Sequence, residues 1–456
     1  MQTVCIQGLG FVGSAMSIAV AIAEHEQLPK FNVIGVDLPS SEGQKRIDSM
    51  NNGIFPFDTN DEFLISSQKK IFRQGNLRAT SDPSVFSRAQ TIIIDINLDI
   101  PYLDSEPNLD MRSFENAIRE VGHYVTAGTL ILIETTVPPG TCEKIVFPCI
   151  KKELAKRNID EDSVFIAHSY ERVMPGQNYL KSIVEYPRVY SGINEASADA
   201  CEKFLEQIID IKKYPLTRLS STIASETAKV LENTYRDTNI AFIDEWTKYA
   251  EAIGIDLFEI IDAIKQRSTH SNIRYPGLGV GGYCLTKDPA FAPAAAKKFF
   301  NKDLDFPFSK LAIETNNNMP QHVISRIELL CEGNDDIKSL ICGVTYRQDV
   351  ADTRYSASEI LVKQLLAKNI KVTCHDPYIK YWEELDISVC CDLPDLSGFD
   401  IIVMSVNHEF YKKLDESVWD NAKIILDANM VFSKTKIQEL RDKGIKVESI
   451  GRGEGV

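Results

Sequence analysis

Gly8-Leu9-Gly10-Phe11-Val12-Gly13 stands between a run that reads as a buried strand, Gln2 to Gln7, and an Ala-, Ile- and Val-rich run, Ser14 to Glu26, that reads as a helix. No other feature constrains the fold as much. Glycines at this spacing are common in isolation. Here they join strand to helix, and the next strand, Phe31 to Val36, ends in the acidic Asp37. That context specifies a βαβ unit holding a dinucleotide. Gly8 permits the tight turn, Gly10 lets the backbone reach a pyrophosphate, and Gly13 lets helix and strand pack closely. Phe11 and Val12 complete the turn, and the helix N-terminus behind them faces the phosphates. Asp37 accepts ribose hydroxyls and repels a 2′-phosphate, so the expected cofactor is NAD rather than NADP.

Further strand-like runs follow at Thr91 to Ile96, Leu130 to Glu134 and Val164 to His168. In a doubly wound sheet ligands gather at the carboxyl ends of such strands. The second run leads into Thr135-Thr136-Val137-Pro138-Pro139-Gly140-Thr141, where Thr136 either offers its hydroxyl to the nicotinamide or to a water, or caps the helix after Thr141. The third leads into Glu171 and Arg172. Glu171 is either a base or substrate-orienting carboxylate, or half of a surface ion pair.

From Ser221 to Ile253 there is neither Gly nor Pro, and Gly254 ends the run, so one helix of about 30 residues, roughly 45 Å long, is expected. Such a length bridges domains or forms a dimer core. Glu226, Lys229, Asn233 and Arg236 share one face of it, while Leu231, Tyr235, Phe242 and Trp246 supply apolar surface. The polar stripe is either solvated or catalytic; a lysine with an asparagine one turn on can stabilise an oxyanion. Downstream, Gly279-Val-Gly-Gly-Tyr-Cys-Leu-Thr-Lys-Asp-Pro289 sets Cys284 behind three glycines and beside Lys287 and Asp288. A bare backbone admits a ligand, and a nearby cation favours thiolate. The alternative is a glycine-rich turn with a chance cysteine.

The last third repeats strand–helix alternation: strands at Leu340 to Tyr346, Ile370 to Cys374, Asp400 to Val406 and Lys423 to Asp427, and a helix from Ser356, its N-cap, to Asn369. Only Gly343 stands where a second glycine-rich turn would be, so this half binds something other than a second NAD. Arg347 and Arg354 follow the first of these strands and either hold phosphate or form a surface cluster with Asp349 and Asp352. The expected fold is α/β: two Rossmann-like parallel-sheet domains joined by a central long helix, divided as 1–210, 211–320 and 321–456. Net charge of −15 argues against nucleic-acid or membrane-surface binding. Ten scattered cysteines without Cys-x-x-Cys suit a reducing cytoplasm and suggest neither disulfide framework nor metal site. No leader or membrane-length apolar run is read, so secretion is not expected.

Taken in order, Gly8 to Gly13, Glu134 to Thr141, Glu171 to Gly176, Ala228 to Ile240, Gly279 to Pro289 and Gly343 to Ser356 resemble the UDP-glucose/GDP-mannose dehydrogenase family over nearly the whole chain. The resemblance implies an NAD domain, a helical dimer-forming region and a nucleotide-sugar domain. It also implies two successive oxidations of a sugar's primary alcohol to the uronic acid. It makes Cys284 the nucleophile and Lys229 with Asn233 the oxyanion pair. Asp288 and Thr136 attend the hydrolytic water, and Glu171 is the first of two loop glutamates. Arg172, Arg236, Gly281, Arg347 and Arg354 join Lys229 and Asn233 in contacting a UDP-sugar. Pro175 stands in place of the second glutamate. With Asn233-Thr-Tyr-Arg236, this points to the UDP-N-acetylhexosamine branch, acting on UDP-N-acetylglucosamine or UDP-N-acetylmannosamine. The alternatives are a UDP-glucose 6-dehydrogenase, a single-step NAD-dependent alcohol dehydrogenase, and a nucleotide-sugar-binding regulator without activity. A homodimer or higher homo-oligomer is expected, working in the cytoplasm on surface-polysaccharide precursors.

Overall fold

The computed structural model describes residues 1–100, 102–103, 106–173, 176–334 and 336–453; the expectation about Pro175 lies outside the described residues. The chain separates into two compact units, Met1–Glu232 with Ala290–Asp305, and Asn233–Pro289 with Phe306–Val456.

In the first unit eight strands form one sheet: β1 (Gln2–Gln7), β2 (Phe31–Val36), β3 (Leu77–Thr80), β4 (Thr91–Ile94), β5 (Leu130–Ile133), β6 (Phe165–His168), β7 (Arg188–Gly192) and β8 (Leu216–Arg218), in the order β8-β7-β6-β5-β4-β1-β2-β3. From β6 to β3 every pairing is parallel. Thr-Ile-Ile-Ile and Leu-Ile-Leu-Ile are buried along their whole length, as strands covered on both faces require. After β1 the chain builds to one side, then returns to β4 on the other. The glycine-rich turn therefore sits at the topological switch point, where open α/β sheets bind ligands. β7 runs against β6, Ala167 facing Gly192, which brings Arg188 to the same sheet edge as the carboxyl ends of the parallel strands. Nothing in the sequence pattern marks that reversal.

Helix α1 (Phe11–Ala21) is buried from Gly13 onward, so its apolar residues run all round. The expected helix to Glu26 is therefore corrected at its end. Glu24–His25 and Leu28–Pro29 pair as a hairpin, with Glu26 and Gln27 at φ 50° and 67°. Two consecutive left-handed residues make a tight hairpin turn whose twist matches the strands, and neither residue is the Gly or Asn that would announce it.

The long helix α2 is continuous from Thr222 to Ile253, 32 residues. In the second unit, α3 (Pro307–Leu330) precedes five parallel strands: β9 (Lys338–Cys342), β10 (Lys371–His375), β11 (Ile401–Met404), β12 (Ile424–Asp427) and β13 (Lys446–Ser449). Their order is β10-β9-β11-β12-β13. Helix α4 (Ala357–Ala367) follows β9, and its cap is Ser356, whose side chain accepts the Ser358 amide.

Candidate active site

The dinucleotide turn is built by steric necessity. Gly8 has φ +96°, and a Cβ there would lie 2.4 Å from the Asp95 carbonyl oxygen. A Cβ on Gly13 would lie 1.9 Å from the Gly8 carbonyl oxygen, whereas one on Gly10 meets nothing within 4 Å. Two glycines close the turn and the third leaves an open approach. Gly10 caps α1 without any side chain bonding the first-turn amides. Asp37 ends the second strand, nearly buried, its Oδ2 accepting from Arg46 Nε at 2.7 Å and the Leu9 amide at 3.3 Å. Open turn, helix N-terminus and buried carboxylate fit NAD. Arg46, nine residues beyond Asp37, carries no motif signal; only the fold brings it there.

Beneath this turn lies a charged group that sequence reasoning missed. Asp95, Glu134 and Arg188 are all buried, and Arg188 is ion-paired to Glu134. Among the described residues Asp95 Oδ2 and Glu134 Oε2 have no hydrogen-bond donor. Burial, then the neighbouring Glu134 and Glu171 charges, push the Asp95 carboxyl well above the usual range. Burial raises Glu134 too, against the pull of Arg188. Burial and like charge thus favour the protonated form of Asp95, while Arg188 beside Glu134 opposes the same shift there.

The polar stripe of α2 is buried rather than solvated at three of its four positions, Glu226, Lys229 and Asn233; Arg236 is exposed. Glu226 accepts the amides of Gly140 at 2.5 Å and Cys142 at 2.8 Å. It, and not Thr136, therefore receives the amides where the chain turns into a π-helix at Cys142–Val146. Burial raises its carboxyl to about 7. Thr136, in the loop so clamped, is half-buried. Lys229 Nζ donates to the Glu171 carbonyl at 2.9 Å and lies 5.3 Å from the Tyr170 ring centre. The Glu171 carboxylate accepts the Val173 amide. Arg172 reaches Glu232 of α2 at 3.2 Å and the Pro187 carbonyl at 3.1 Å. His168 is buried against Ser225 at 2.7 Å, and desolvation, helped by the Lys229 charge, lowers its imidazole to about 3.

In the second unit the cysteine loop is tightly organised. Cys284 is exposed, while its carbonyl accepts the Asp288 amide at 2.9 Å and the Lys287 amide at 3.3 Å. Asp288 is fully buried, with Asn233 Nδ2 at 2.6 Å from one oxygen and Lys287 Nζ at 2.7 Å from the other. Gly281 and Gly282 make room for the protein itself. A Cβ on Gly281 would lie 2.9 Å from the Tyr355 carbonyl oxygen, and one on Gly282 2.7 Å from the Tyr346 ring. Among the described residues, which include all ten cysteines, there is no disulfide. After β9, Arg354 is bidentate on Asp352 at 3.0 and 2.8 Å. Arg347 is exposed and makes no ion pair among the described residues. Asp427, at the end of β12, is buried and accepts the amides of Asn429, Val431 and Phe432.

Three domain models of the UDP-glucose/GDP-mannose dehydrogenase family match the chain: the NAD binding domain over residues 2–209, the central domain over 223–318 and the UDP binding domain over 340–434. The UDP-N-acetyl-D-mannosamine dehydrogenase of Methanocaldococcus jannaschii is 33% identical, over 99% of this chain and 97% of its own length. The solved structure of UDP-D-ManNAc dehydrogenase from Pyrococcus horikoshii superposes with a TM-score of 0.80 at 26% identity, covering 99% of both chains. That of NDP-N-acetyl-D-galactosaminuronic acid dehydrogenase from Methanosarcina mazei gives 0.79 at 27%, covering 99% of this chain and 95% of its own.

Proposed function

The chain belongs to the UDP-glucose/GDP-mannose dehydrogenase family, and from that premise we propose that it oxidises the C6 alcohol of a UDP-N-acetylhexosamine, N-acetylmannosamine or N-acetylglucosamine, twice, to the uronic acid. It is an NAD-dependent nucleotide-sugar dehydrogenase. The observation that carries the substrate reading is the full-length likeness to a UDP-N-acetyl-D-mannosamine dehydrogenase.

Bound NAD supplies the hydride acceptor in each oxidation. The chain's own residues do the rest. The C6 hydroxyl gives its proton to water, relayed by Lys229, as the first hydride leaves, giving an aldehyde. The Cys284 thiolate adds to the aldehyde carbon, and the resulting thiohemiacetal oxygen carries charge that Lys229 and Asn233 stabilise as donors. Loss of the second hydride leaves a thioester. Water, ordered by Asp288 with Thr136 or taken by Glu171 as base, adds to its carbonyl. The carbon–sulfur bond breaks, returning the thiol and releasing the carboxylate. Arg172, Arg236, Gly281, Arg347 and Arg354 are the proposed contacts to the UDP-sugar. In this reading residues 1–210 hold NAD, 211–320 carry the helix and cysteine loop, and 321–456 hold the nucleotide. No helix among the described residues is long and apolar enough to cross a membrane. We place the reaction in a reducing cytoplasm, where Cys284 stays a thiol.

Turnover of UDP-N-acetylmannosamine, UDP-N-acetylglucosamine and UDP-glucose, with products identified by mass spectrometry, tests the substrate. An N-acetylated uronic acid as the sole efficient product is expected. UDP-glucuronic acid alone would keep the family and overturn the branch.

A further inference from the structure

At the carboxyl ends of the second sheet a polar network converges on His408. His408 and Asp376 are fully buried and Thr345 almost so. His408 Nδ1 accepts the Asp349 amide at 2.8 Å. A backbone N–H only donates, so Nδ1 is the acceptor and the neutral ring carries its proton on Nε2. Nε2 lies 3.2 Å from both Asp376 Oδ2 and Thr345 Oγ1. Thr345 Oγ1 in turn donates to the Arg347 carbonyl at 3.0 Å. The carbonyl and the amide that bracket Gln348 are thus held by one imidazole, one directly and one through Thr345.

Asp376 fixes that imidazole in place. Its Oδ2 accepts the Val344 amide at 2.8 Å and its Oδ1 the Tyr378 amide at 2.9 Å. Asp349 sits at φ 55°, a conformation a non-glycine residue keeps only when its surroundings impose it. Here they do. Asp349 Oδ1 accepts the Glu409 amide at 3.0 Å and the Tyr378 hydroxyl at 3.1 Å. His408 and Glu409 enter from the loop after β11, so two strand ends lock a third strand's loop.

We propose that His408 is a positioning residue for the nucleotide diphosphate: its Nδ1 tethers the Asp349 amide and, with the bond from Thr345 to the Arg347 carbonyl, fixes the backbone on both sides of Gln348, presetting the Arg347 guanidinium for a phosphate. The inference rests on reading Arg347 as a phosphate contact. A guanidinium on a loose loop loses affinity to the cost of ordering that loop; one on a tethered loop does not. His408 itself touches no substrate.

Full-length His408→Asn, His408→Gln and Arg347→Ala, titrated calorimetrically with UDP and with NAD, test it. Asn puts an amide oxygen where Nδ1 stands and keeps the Asp349 tether. Gln keeps a donor near Nε2 but leaves the Asp349 amide without its acceptor. Packing alone ranks them the other way, since Asn is smaller and leaves the larger cavity. His408→Gln should weaken UDP by about tenfold or more and His408→Asn by less than about threefold, NAD affinity being unchanged in both. Amide exchange across residues 346–352 should be faster in the Gln variant than in the Asn variant. In turnover, Gln should raise KM for the nucleotide sugar and leave kcat. An Asn variant as impaired as Gln, or a parallel loss of NAD affinity, overturns the proposal. Arg347→Ala separates the two readings. Unchanged UDP affinity there removes Arg347 as the phosphate contact even if amide exchange shows the tether intact. Weakened UDP there, with both His408 variants alike, removes the tether and keeps Arg347.

Discussion

Asp37 is held before any ribose reaches it, by Arg46 at 2.7 Å and by the Leu9 amide. Replacing it has two effects of opposite sign. With Asp37 as the proposed ribose acceptor, Asp37→Ala removes that acceptor and releases a guanidinium suited to a 2′-phosphate. NAD should weaken by about tenfold or more while NADP gains, the loss of a charged hydrogen bond setting the scale; unchanged NAD affinity in titration would mean that Asp37 does not bind the ribose. Lys229→Ala should lower kcat by roughly 10²–10³, the usual cost of one oxyanion donor. A rise in KM with kcat kept would instead place Lys229 in structure, through the Glu171 carbonyl it holds. What local spacing made legible is the glycine turn, which the structure requires by sterics at Gly8 and Gly13, and the carboxylate Asp37 at the next strand end; the chemistry read for Cys284 with Asp288 stands as a proposal. Arg46, Asp95, Glu226 as a clamp, and His408 were not legible. Arg46 is only nine residues from Asp37 but belongs to no motif, and the others act on partners that the fold brings together across a long stretch of chain; Glu226 holds amides 84 and 86 residues away.

Among elements, the central strands of both sheets announced themselves by apolar runs, whereas Leu77–Thr80, Arg188–Gly192, Leu216–Arg218 and Lys446–Ser449 did not; α2 was marked by the absence of Gly and Pro, and the observed Thr222–Ile253 lies within one residue of the expected bounds. What composition does not encode is direction, hence the unforeseen reversal of β7, or a turn made by ordinary residues, hence the hairpin after α1. Where α2 packs on α3 lies one buried titratable carboxyl. Asp237, 1% exposed, accepts from Asn316 Nδ2 at 2.6 Å, and its other oxygen has no partner among the described residues. Burial lifts its carboxyl from 3.8 to about 7. The folded state therefore keeps this proton to higher pH than the unfolded chain does. The stability it contributes is complete below the ordinary carboxylate range and is lost as pH rises through about 7. The loss is at most roughly 4 kcal/mol at 1.36 kcal/mol per unit. Asp237→Asn should melt above the wild type at pH 8 and show a flatter dependence of Tm on pH between about 4 and 8. A steeper one contradicts the assignment.

For the whole molecule, the outer side of α2 bears on how chains assemble. Leu231, Tyr235, Phe242, Trp246, Tyr249 and Ile253 are all exposed, at helical spacings, and Phe242, Trp246 and Tyr249 touch ring to ring, with centroids 6.3 and 5.6 Å apart. An apolar stripe of this kind suits an interaction surface, and it is the surface the expected homodimer would cover. Phe242→Asp with Trp246→Glu should halve the mass measured by light scattering; an unchanged mass places the dimer contact elsewhere.

In the proposed function one active centre carries out two oxidations through Cys284. NADH released per nucleotide sugar consumed tests it most directly, in the wild-type enzyme and in Cys284→Ser. Two NADH per UDP-N-acetylhexosamine for the wild type, with no net acid from the serine variant, is the predicted result. One NADH per sugar, or full double oxidation without the thiol, would contradict it.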